Sequence, residues 1–292
     1  MKELSGRTLP LKLADLGQPP ERLYLEGELP RGPAVAIVGT RKPSAEAVAW
    51  VRGFASELAS RGVAIVSGGA KGIDTAAHEG ALDAGGVTVV VTVPGISRPY
   101  PEKNGPLFRR IVAAGGAYLS LYPEHQAADR GLFFARNGVL VALSHAVVVG
   151  QTPCTGGSRN AAKWARELGR PLYVVPHSPW VAEGKGAVVE LRLGGRPLDS
   201  WKEMLRFLHR SGHHAVTVAP QAAQAQGELW QSQADPSADP VLQALRAGAL
   251  HPDEIVDRTG LSLATVQQRI LTLALSGVLV PGPLGSLKLV TD

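Results

Sequence analysis

The chain has 292 residues, with 30 Lys and Arg against 25 Asp and Glu, a net charge of +5. Hydrophobic residues make up 45% of it, so it can bury a sizeable core, and its length suits two domains of about 150 residues. The single cysteine, Cys154, excludes a disulfide framework and a zinc site built from cysteines. No stretch reaches the roughly 18 apolar residues of a membrane helix, and no secretory signal is evident, so we expect a cytoplasmic protein.

The positive charge is concentrated in the first 210 residues, which hold 26 Lys and Arg against 18 Asp and Glu. Residues 211–240 hold three acidic residues and no Lys or Arg, and residues 241–292 hold four of each sign. A polyanionic partner would therefore bind the first 210 residues. The excess is modest, and many basic proteins bind no nucleic acid, so the charge alone is only a hint.

Short apolar runs alternate with helical patterns along most of the chain. Residues 1–33 have weak periodicity and are predicted to form an N-terminal arm. Strands are predicted at 34–38, 63–66, 87–93, 117–119, 146–149 and 172–175. Helices are predicted at 44–61, at 104–114, at 131–142 and at 158–168. A further helix is predicted after the loop that follows the second strand, and it runs through Leu82. Continuous Val and Ile runs between helices predict an α/β domain over 34–210, with a doubly wound, mainly parallel sheet.

The last third of the chain has a different pattern. Residues 211–240 are rich in Ala and Gln and are predicted to be a flexible linker. Residues 241–292 predict three helices, which begin near Val241, His251 and Ser262, and then a hairpin of 277–280 with 287–290. This is the pattern of a small winged helix-turn-helix domain. Because its net charge is zero and its third helix offers only Arg269, we expect it to contact protein or regulate rather than read duplex DNA.

Four predicted loops follow the carboxyl ends of the strands, where open parallel sheets bind ligands. They are Gly39–Ser44, Ser67–Asp74, Pro94–Asn104 and Thr152–Ser158. Glycine-loop amides and helix N-termini attract phosphate. Full charges on the same edge would come from Arg41, Lys42, Lys71, Arg98 and Lys103. We therefore predict a groove for a phosphate-bearing ligand, although each loop alone could be a tight strand–helix turn.

Catalytic and metal-binding patterns are weak. Neither glycine loop has the order of a P-loop or of a dinucleotide fingerprint. His78 is predicted to be packed or hydrogen-bonded, Asp74 to cap its helix, and Cys154 to be a small loop residue. No His or Cys group has the spacing of metal ligands. We predict no catalytic site, no metal and no cofactor.

The loop segments resemble the DNA-processing protein A family, also called DprA or Smf. The similar segments are Val38–Ser44, Ser67–His78, Tyr100–Pro101 with Asn104, Arg136–Asn137, Gly156–Ser158 and Leu168–Pro176. A further similar segment is Pro19–Gly27, and the tail resembles the family's optional winged helix. The resemblance implies an extended Rossmann-like domain that binds single-stranded DNA. It also implies a homodimer that helps load the RecA recombinase in natural transformation, without enzymatic turnover.

The loops and the resemblance together define the candidate sites. The predicted DNA-binding residues are Gly39, Arg41, Lys42, Ser44, Gly68, Gly69, Lys71, Lys103, Asn104, Arg136, Asn137, Gly156, Gly157 and Ser158. The resemblance implies a dimer surface near 186–198, at Val188, Val189, Leu191 and Leu193. Local stacking candidates for bases are Tyr100, Phe133 and Phe134.

Three positions depart from the family pattern. Gly138 stands where a second arginine is usual, so one basic contact could be missing. Arg159 adds a charge to the late loop, and His177 replaces a glycine after the late strand.

Two other function classes remain open. One is a nucleotide-processing enzyme similar to phosphoribohydrolases. Pro153–Ser158 is only weakly similar to the glycine-loop signature of those enzymes. The other is a transcription factor with an effector-binding Rossmann domain, which the neutral winged helix disfavours.

Overall fold

A computed structural model describes residues 1–95, 97–125, 132–178, 180–213, 239–248, 252–261, 265–266, 269–270, 273, 279–281 and 287–289. The chain divides into two compact units, Met1–Ala222 and Ala223–Asp292. This division falls inside the predicted linker, most of which lies outside the described residues. Among the described residues, no helix combines the length and the apolar character needed to cross a membrane.

The first unit is built on one sheet of nine strands. In chain order they are β1 (Lys2–Ser5), β2 (Arg22–Gly27), β3 (Ala34–Val38), β4 (Ala64–Ser67), β5 (Thr88–Thr92), β6 (Ala117–Ser120), β7 (Ala146–Val149), β8 (Leu172–Val174) and β9 (Arg196–Pro197). Their order in space is β1-β2-β6-β5-β4-β3-β7-β8-β9. β2 pairs antiparallel with β1 and with β6, and the other pairs are parallel.

Helices cover both faces of this sheet. They are α1 (Ala45–Ala59), α2 (Ile73–Asp83), α3 (Gly105–Ala113), α4 (Leu132–Ala142), α5 (Gly157–Glu167), α6 (Lys185–Arg192) and α7 (Trp201–Arg210). α1, α2 and α7 pack on one face, where Phe54 and Met204 join the buried side chains of Ile37 and Ile65. α4 and α5 pack on the other face. The central strands are buried on both faces, as the continuous apolar runs predict.

The strand order places a crevice between β3 and β7. From β3 the chain winds outward through β4, β5 and β6, and it then returns to the other side of β3 as β7. The loops that leave β3 and β7 therefore turn away from each other. Such a switch point is where doubly wound sheets bind ligands at the carboxyl edge.

The first 33 residues differ from the predicted arm, because they contribute two strands to the sheet. In β2, Leu23 and Leu25 are buried, and their neighbours Arg22, Tyr24 and Glu26 are not. Leu4 of β1 joins the same core cluster. Antiparallel pairing with β6 covers an edge that the parallel strands would otherwise leave open. The segment is thus part of the domain.

The described part of the second unit contains helix α8 (Pro240–Arg246), followed by α9 (Pro252–Thr259). The side chain of Asp239 caps α8 by accepting hydrogen bonds from the backbone N–H groups of Val241 and Leu242, at 2.9 and 3.3 Å. Strands β10 (Leu279–Pro281) and β11 (Leu287–Leu289) pair antiparallel, which confirms the predicted hairpin. The third helix, predicted from Ser262, lies partly outside the described residues.

Candidate functional site

Two adjoining cavities lie at the carboxyl edge of the sheet, where β3 and β7 diverge. The first, of about 520 Å³, is bounded by the loops after β3 and β7 and by the start of α5. The second, of about 550 Å³, is bounded by the loop after β4 and by the segment Arg98–Glu102. Residues that line both cavities are Arg41, Ala70, Tyr100, Phe133 and Arg136. The two cavities therefore form one feature, which we call the groove.

Eight of the predicted DNA-binding residues line the first cavity, and Gly68 and Lys71 line the second. The eight are Gly39, Arg41, Lys42, Arg136, Asn137, Gly156, Gly157 and Ser158. The structure thus brings together loops that are separated by more than a hundred positions in sequence. Other lining residues were not singled out from the sequence, including Thr40, Ala70, Pro153 and Thr155. The only sequence feature that could have predicted these residues as part of the site is their position in the glycine loops.

Arg41, Lys42 and Lys71 supply exposed positive charge to the groove. All three are exposed, and none forms an ion pair with a carboxylate among the residues that the structure describes. Exposed cations without a carboxylate partner can exchange their counterions for phosphates. These side chains therefore form the electrostatic rim of the groove.

Arg136 supplies a fixed positive charge beneath that rim. Its side chain is buried, and a Cβ added at Gly68 would lie 1.8 Å from its Nη1 atom. Burial lowers the pKa of Arg136 to about 10, Asp74 opposes this shift, and the charge of Arg41 adds to it. The guanidinium is therefore still charged at neutral pH. Its Nε has no hydrogen-bond partner among the described residues.

Asp74 is the buried counter-charge in the floor of the groove. Its Oδ2 accepts a hydrogen bond of 3.3 Å from the backbone N–H of Ala70. Burial raises the pKa of Asp74, and Arg136 and Arg41 oppose that shift. The predicted capping role is wrong, because Gly72 is the N-cap residue of α2 and Asp74 lies inside the helix. The carboxyl instead holds the glycine loop and balances the buried guanidinium.

Hydrogen bonds tie the loop after β3 to its neighbours. Thr40 donates its backbone N–H to Gln151 O at 2.7 Å, and Ile73 donates its own to Thr40 O at 3.2 Å. Gly72 has φ +86°, and a Cβ there would lie 2.4 Å from Thr40 O, so only glycine allows this approach. The first two groove loops are therefore held rigidly against each other.

Four predicted DNA-binding residues do not line either cavity. Ser44 caps α1 by accepting a hydrogen bond of 3.2 Å from Ala47 N. Asn104 is buried and donates to Gly69 O and to Thr75 Oγ1, both at 2.9 Å. Gly69 is itself buried, and Lys103 is exposed beside Glu102. Asn104 thus positions the glycine loop from beneath.

The start of α5 presents backbone amides to the groove. Asn137 donates to Gly157 O at 3.1 Å and to Asn160 Oδ1 at 2.9 Å, which fixes the first turn. Ser158 Oγ lies 2.7 Å from Thr152 Oγ1. Gly156 and Gly157 are exposed. The N-terminus of a helix carries unpaired N–H groups, so this turn is suited to a phosphate.

Aromatic side chains form one wall of the groove. Tyr100 and Phe133 have ring centroids 5.7 Å apart, and the guanidinium of Arg136 lies 5.7 Å from the Phe133 ring. Tyr100 is 44% exposed and Phe134 is 53% exposed. Large exposed aromatic faces in a cationic groove are suited to stacking with unpaired bases.

The structure shows what surrounds each of the three positions that depart from the family pattern. A Cβ at Gly138 would lie 3.1 Å from Trp164 and 3.2 Å from Leu16, so this position faces packed side chains rather than open space. The charge of Arg159 is paired with Glu190, with 2.7 Å between Nε and Oε1. His177 Nε2 lies 2.7 Å from Gly150 O. Gly138 removes no groove contact, and Arg159 adds no free charge.

Helix α6 and its C-cap residue Leu193 carry the predicted dimer residues. Val188 and Val189 are partly buried, Leu191 packs against the core, and Leu193 is half exposed. Leu191 is therefore at least partly a core residue.

His78 is a core residue, as predicted. It is fully buried, and its Nδ1 lies 2.8 Å from Thr88 Oγ1. Burial lowers the pKa of His78 to about 3, with a smaller contribution from the charge of Arg136. Within the described ranges, no group of three or more His, Cys, Asp or Glu side chains is arranged to hold a metal ion.

The sequence matches family models over most of its length. The model for DNA recombination-mediator protein A matches residues 4–209, and that for the DprA winged helix domain matches residues 220–283. Protein Smf of Synechocystis is 31% identical over 303 residues, which cover 94% of this chain and 76% of that protein. A DNA processing protein of Mycobacterium tuberculosis is 35% identical over 246 residues, 84% of this chain. The chain spans only 61% of that relative's length.

Solved structures of DNA processing protein A share the fold. The Helicobacter pylori protein, described for its single-stranded DNA binding mode, has a TM-score of 0.64 and 29% identity, over 72% of this chain and 97% of that one. The Streptococcus pneumoniae protein has a TM-score of 0.65 and 29% identity, over 70% and 73% of the two chains. The nine-stranded Rossmann-like sheet and the matched winged helix agree with this. The chain is therefore a member of the DNA-processing protein A family.

Proposed function

We propose that the groove binds the sugar–phosphate backbone of single-stranded DNA. The observation that carries this proposal is that three glycine loops and five cations converge on one groove at the switch point of the sheet, the cations being Arg41, Lys42, Lys71, Arg98 and Arg136. Phosphates pair with Arg41, Lys42, Lys71 and Arg136, and the amides at the start of α5 bind another. Such binding is largely independent of sequence and weakens as salt rises.

The aromatic wall favours an unpaired strand over a duplex. Tyr100, Phe133 and Phe134 offer ring faces to the groove, and bases can stack on them only when they are not stacked inside a double helix. The single-stranded DNA binding mode described for the Helicobacter pylori relative supports the same ligand class.

We infer that the groove binds without catalysing a reaction. The lining carboxylates among the described residues are Asp74 and Glu102, and Asp74 is occupied with Ala70 N and the charge of Arg136. A phosphoribohydrolase-like enzyme, the alternative function, would have a catalytic glutamate on the helix that follows the glycine loop, which is α5 here. Glu167 is at the far end of that helix and pairs with Lys163 at 3.5 Å.

Membership of the family supports the remaining roles. We propose that the protein delivers its bound strand to the RecA recombinase during natural transformation, and that it acts as a homodimer. The partly exposed apolar residues Val188, Val189 and Leu193 on and beside α6 make this helix the candidate dimer surface. We propose that the winged helix contacts protein or regulates rather than reads duplex DNA, a role supported by the pairing of Arg269 with Asp239 at 2.5 Å.

The direct test is strand affinity measured by fluorescence anisotropy, with oligo-dT against a duplex at two salt concentrations. Arg41→Ala should weaken oligo-dT binding by about tenfold or more, because a charge-assisted contact contributes about 1–3 kcal/mol. Arg210→Ala is the matched control, since Arg210 is also exposed but ends α7, far along the chain from the groove loops.

Equal affinity for oligo-dT and duplex, or an Arg41→Ala affinity like that of the wild type, would contradict the proposal. Release of free base from AMP would instead support the enzyme alternative.

A further inference from the structure

We propose that Glu190 is a positioning residue for the third groove loop, Thr152–Ser158, and that it acts through Arg159. Where strand affinity is the readout, this inference rests on the proposed function. Neither the loop motifs nor the family resemblance singles out Glu190. It stands on α6, outside the groove lining.

Glu190 is a fully buried carboxylate held by two arginines. Its side chain is 0% exposed. Arg159 donates from Nε to Oε1 at 2.7 Å, and Arg166 donates from Nη1 to Oε2 at 2.5 Å. A buried carboxylate is tolerated only when it is paired and hydrogen-bonded, and removing one partner leaves an uncompensated charge. Both guanidinium groups are therefore fixed in place by Glu190.

Arg159 carries this constraint into the groove loop. Its Nη1 donates to the backbone oxygen of Cys154 at 2.6 Å, while its Nε bonds Glu190. The planar guanidinium thus spans from the buried carboxylate to the loop backbone. Two donors in one rigid plane fix both partners at once.

The first turn of α6 touches the same loop at a second point. Gly186 donates its backbone N–H to Thr152 O at 2.9 Å. A Cβ at Gly186 would lie 2.1 Å from Pro153 O, so helix and loop are in direct backbone contact. The loop is therefore anchored at Thr152 and at Cys154 by groups that belong to, or are held by, α6.

The exposed end of the loop depends on these two anchors. Thr155, Gly156 and Gly157 line the groove, and a Cβ at either glycine would meet no atom within 4 Å. Asn137 holds Gly157 from the helix side through its hydrogen bond to Gly157 O, and the two anchors upstream set where the amides of Thr155 and Gly156 point. Preorganised amides bind a phosphate without the entropic cost of ordering the loop.

The test is Glu190→Gln in the full chain, with oligo-dT affinity as the first readout. The substitution removes a negative charge, so electrostatics alone would tighten DNA binding. A positioning role predicts the opposite sign, a loss of roughly threefold to tenfold. Glu167→Gln removes a negative charge from the neighbouring helix and should leave affinity unchanged or slightly tighter.

The second readout is amide hydrogen exchange in residues 154–158, which needs no DNA. We expect faster exchange in Glu190→Gln than in the wild type. Arg166→Gln removes the partner of Glu190 that has no contact with the loop, so it should leave this exchange nearly unchanged. Arg159→Lys keeps the charge but loses the planar bridge, and it should reproduce the faster exchange even if Glu190→Gln does not fold.

Wild-type exchange at 154–158 in both Glu190→Gln and Arg159→Lys would overturn the inference, and so would tighter oligo-dT binding by a folded Glu190→Gln. If the wild type fails to bind oligo-dT, the proposed function fails, and the exchange experiment alone decides the role of Glu190.

Discussion

Basic side chains gather at both edges of the parallel sheet, but they differ in their exposure and in their contacts. At the carboxyl edge, Arg41, Lys42 and Lys71 are exposed and unpaired within the described chain, above the buried Arg136. At the opposite edge, a cavity of about 640 Å³ is lined by Lys12, Arg31, His145 and His213. The two edges have similar numbers of basic groups.

Three of the four groups at the opposite edge, Lys12, His145 and His213, are engaged with each other. Lys12 Nζ lies 2.8 Å from His145 Nε2, and the rings of His145 and His213 are 3.9 Å apart. Burial lowers the pKa of Lys12 to about 8, and Arg170 adds to this shift. Burial lowers the pKa of His145 to about 4, and the charge of Lys12 adds to that one. The burial and mutual contacts of Lys12, His145 and His213, more than the number of basic groups, thus distinguish the opposite edge from the groove.

The largest effect is expected at Gly68, whose Cα is covered by Arg136. Gly68→Ala would place a Cβ 1.8 Å from Nη1, so the guanidinium must move out of its place. We expect oligo-dT affinity to fall by about tenfold or more, since a fixed charge is lost from the groove. The control is Gly53→Ala, because Gly53 lies in α1 and an added Cβ meets nothing within 4 Å.

Circular dichroism must show both glycine variants folded before their affinities are compared. An unchanged affinity in Gly68→Ala would remove Arg136 from the binding surface.

Substitution of one lysine at each edge, Lys71 in the groove and Lys12 at the opposite edge, tests whether the two edges differ in DNA binding. Lys71→Met should weaken oligo-dT binding by several-fold and reduce the slope of log affinity against log salt by about one phosphate contact. Lys12→Met removes the same charge at the opposite edge and should leave both quantities within error. A salt titration of the two variants measures this, and equal slopes would mean that the two edges do not differ.

The buried histidines predict a loss of stability in acid. The pKa of His78 falls from 6.5 to about 3 and that of His145 to about 4 in the folded protein. The unfolded chain therefore binds more protons between pH 6.5 and these values, so the free energy of unfolding falls as pH falls through that window. Each histidine contributes a slope of up to about 1.4 kcal/mol per pH unit.

Urea unfolding at several pH values should show this slope, with a shallower one in His145→Gln. The same slope in wild type and His145→Gln would mean that His145 is not held neutral by its surroundings.

The smallest effect is a local one at the opposite edge. Lys12→Met removes a cation that lowers the pKa of His145. The pKa of His145 should therefore rise toward its ordinary value in the variant, as measured by the pH dependence of its ring resonances in NMR. An unchanged pKa of His145 in the variant would mean that the charge of Lys12 does not contribute to the shift.

Local sequence was sufficient to predict much of the first unit. The apolar runs that end in Gly39 and Ser67 predicted buried parallel strands, because a strand covered on both faces needs no polar alternation. The glycines and cations that follow those strands predicted a phosphate groove. Residues of this kind are constrained by their immediate neighbours, which a single sequence contains.

Other features were decided by contacts between distant segments. Strand β2 is stabilised by pairing with β6, a partner nearly a hundred positions away, and β1 is stabilised by pairing with β2, so their own pattern was too weak to predict them. The side chain of Asn104 points inward to Gly69 O, and Arg159 is paired with Glu190. Whether a polar side chain faces the groove or the interior depends on how the elements pack around it.

The sequence by itself determined the alternation of strands β3 to β8 with helices α1 to α5 and the edge of the sheet that carries the glycine loops. Only the tertiary structure decided which charges remain free. Arg136 reaches the groove because Gly68 leaves room for its guanidinium, and Lys12 lies against His145. Hydrogen bonds and burial act over a few ångströms in space between residues far apart in sequence, and they set the charge state on which binding depends.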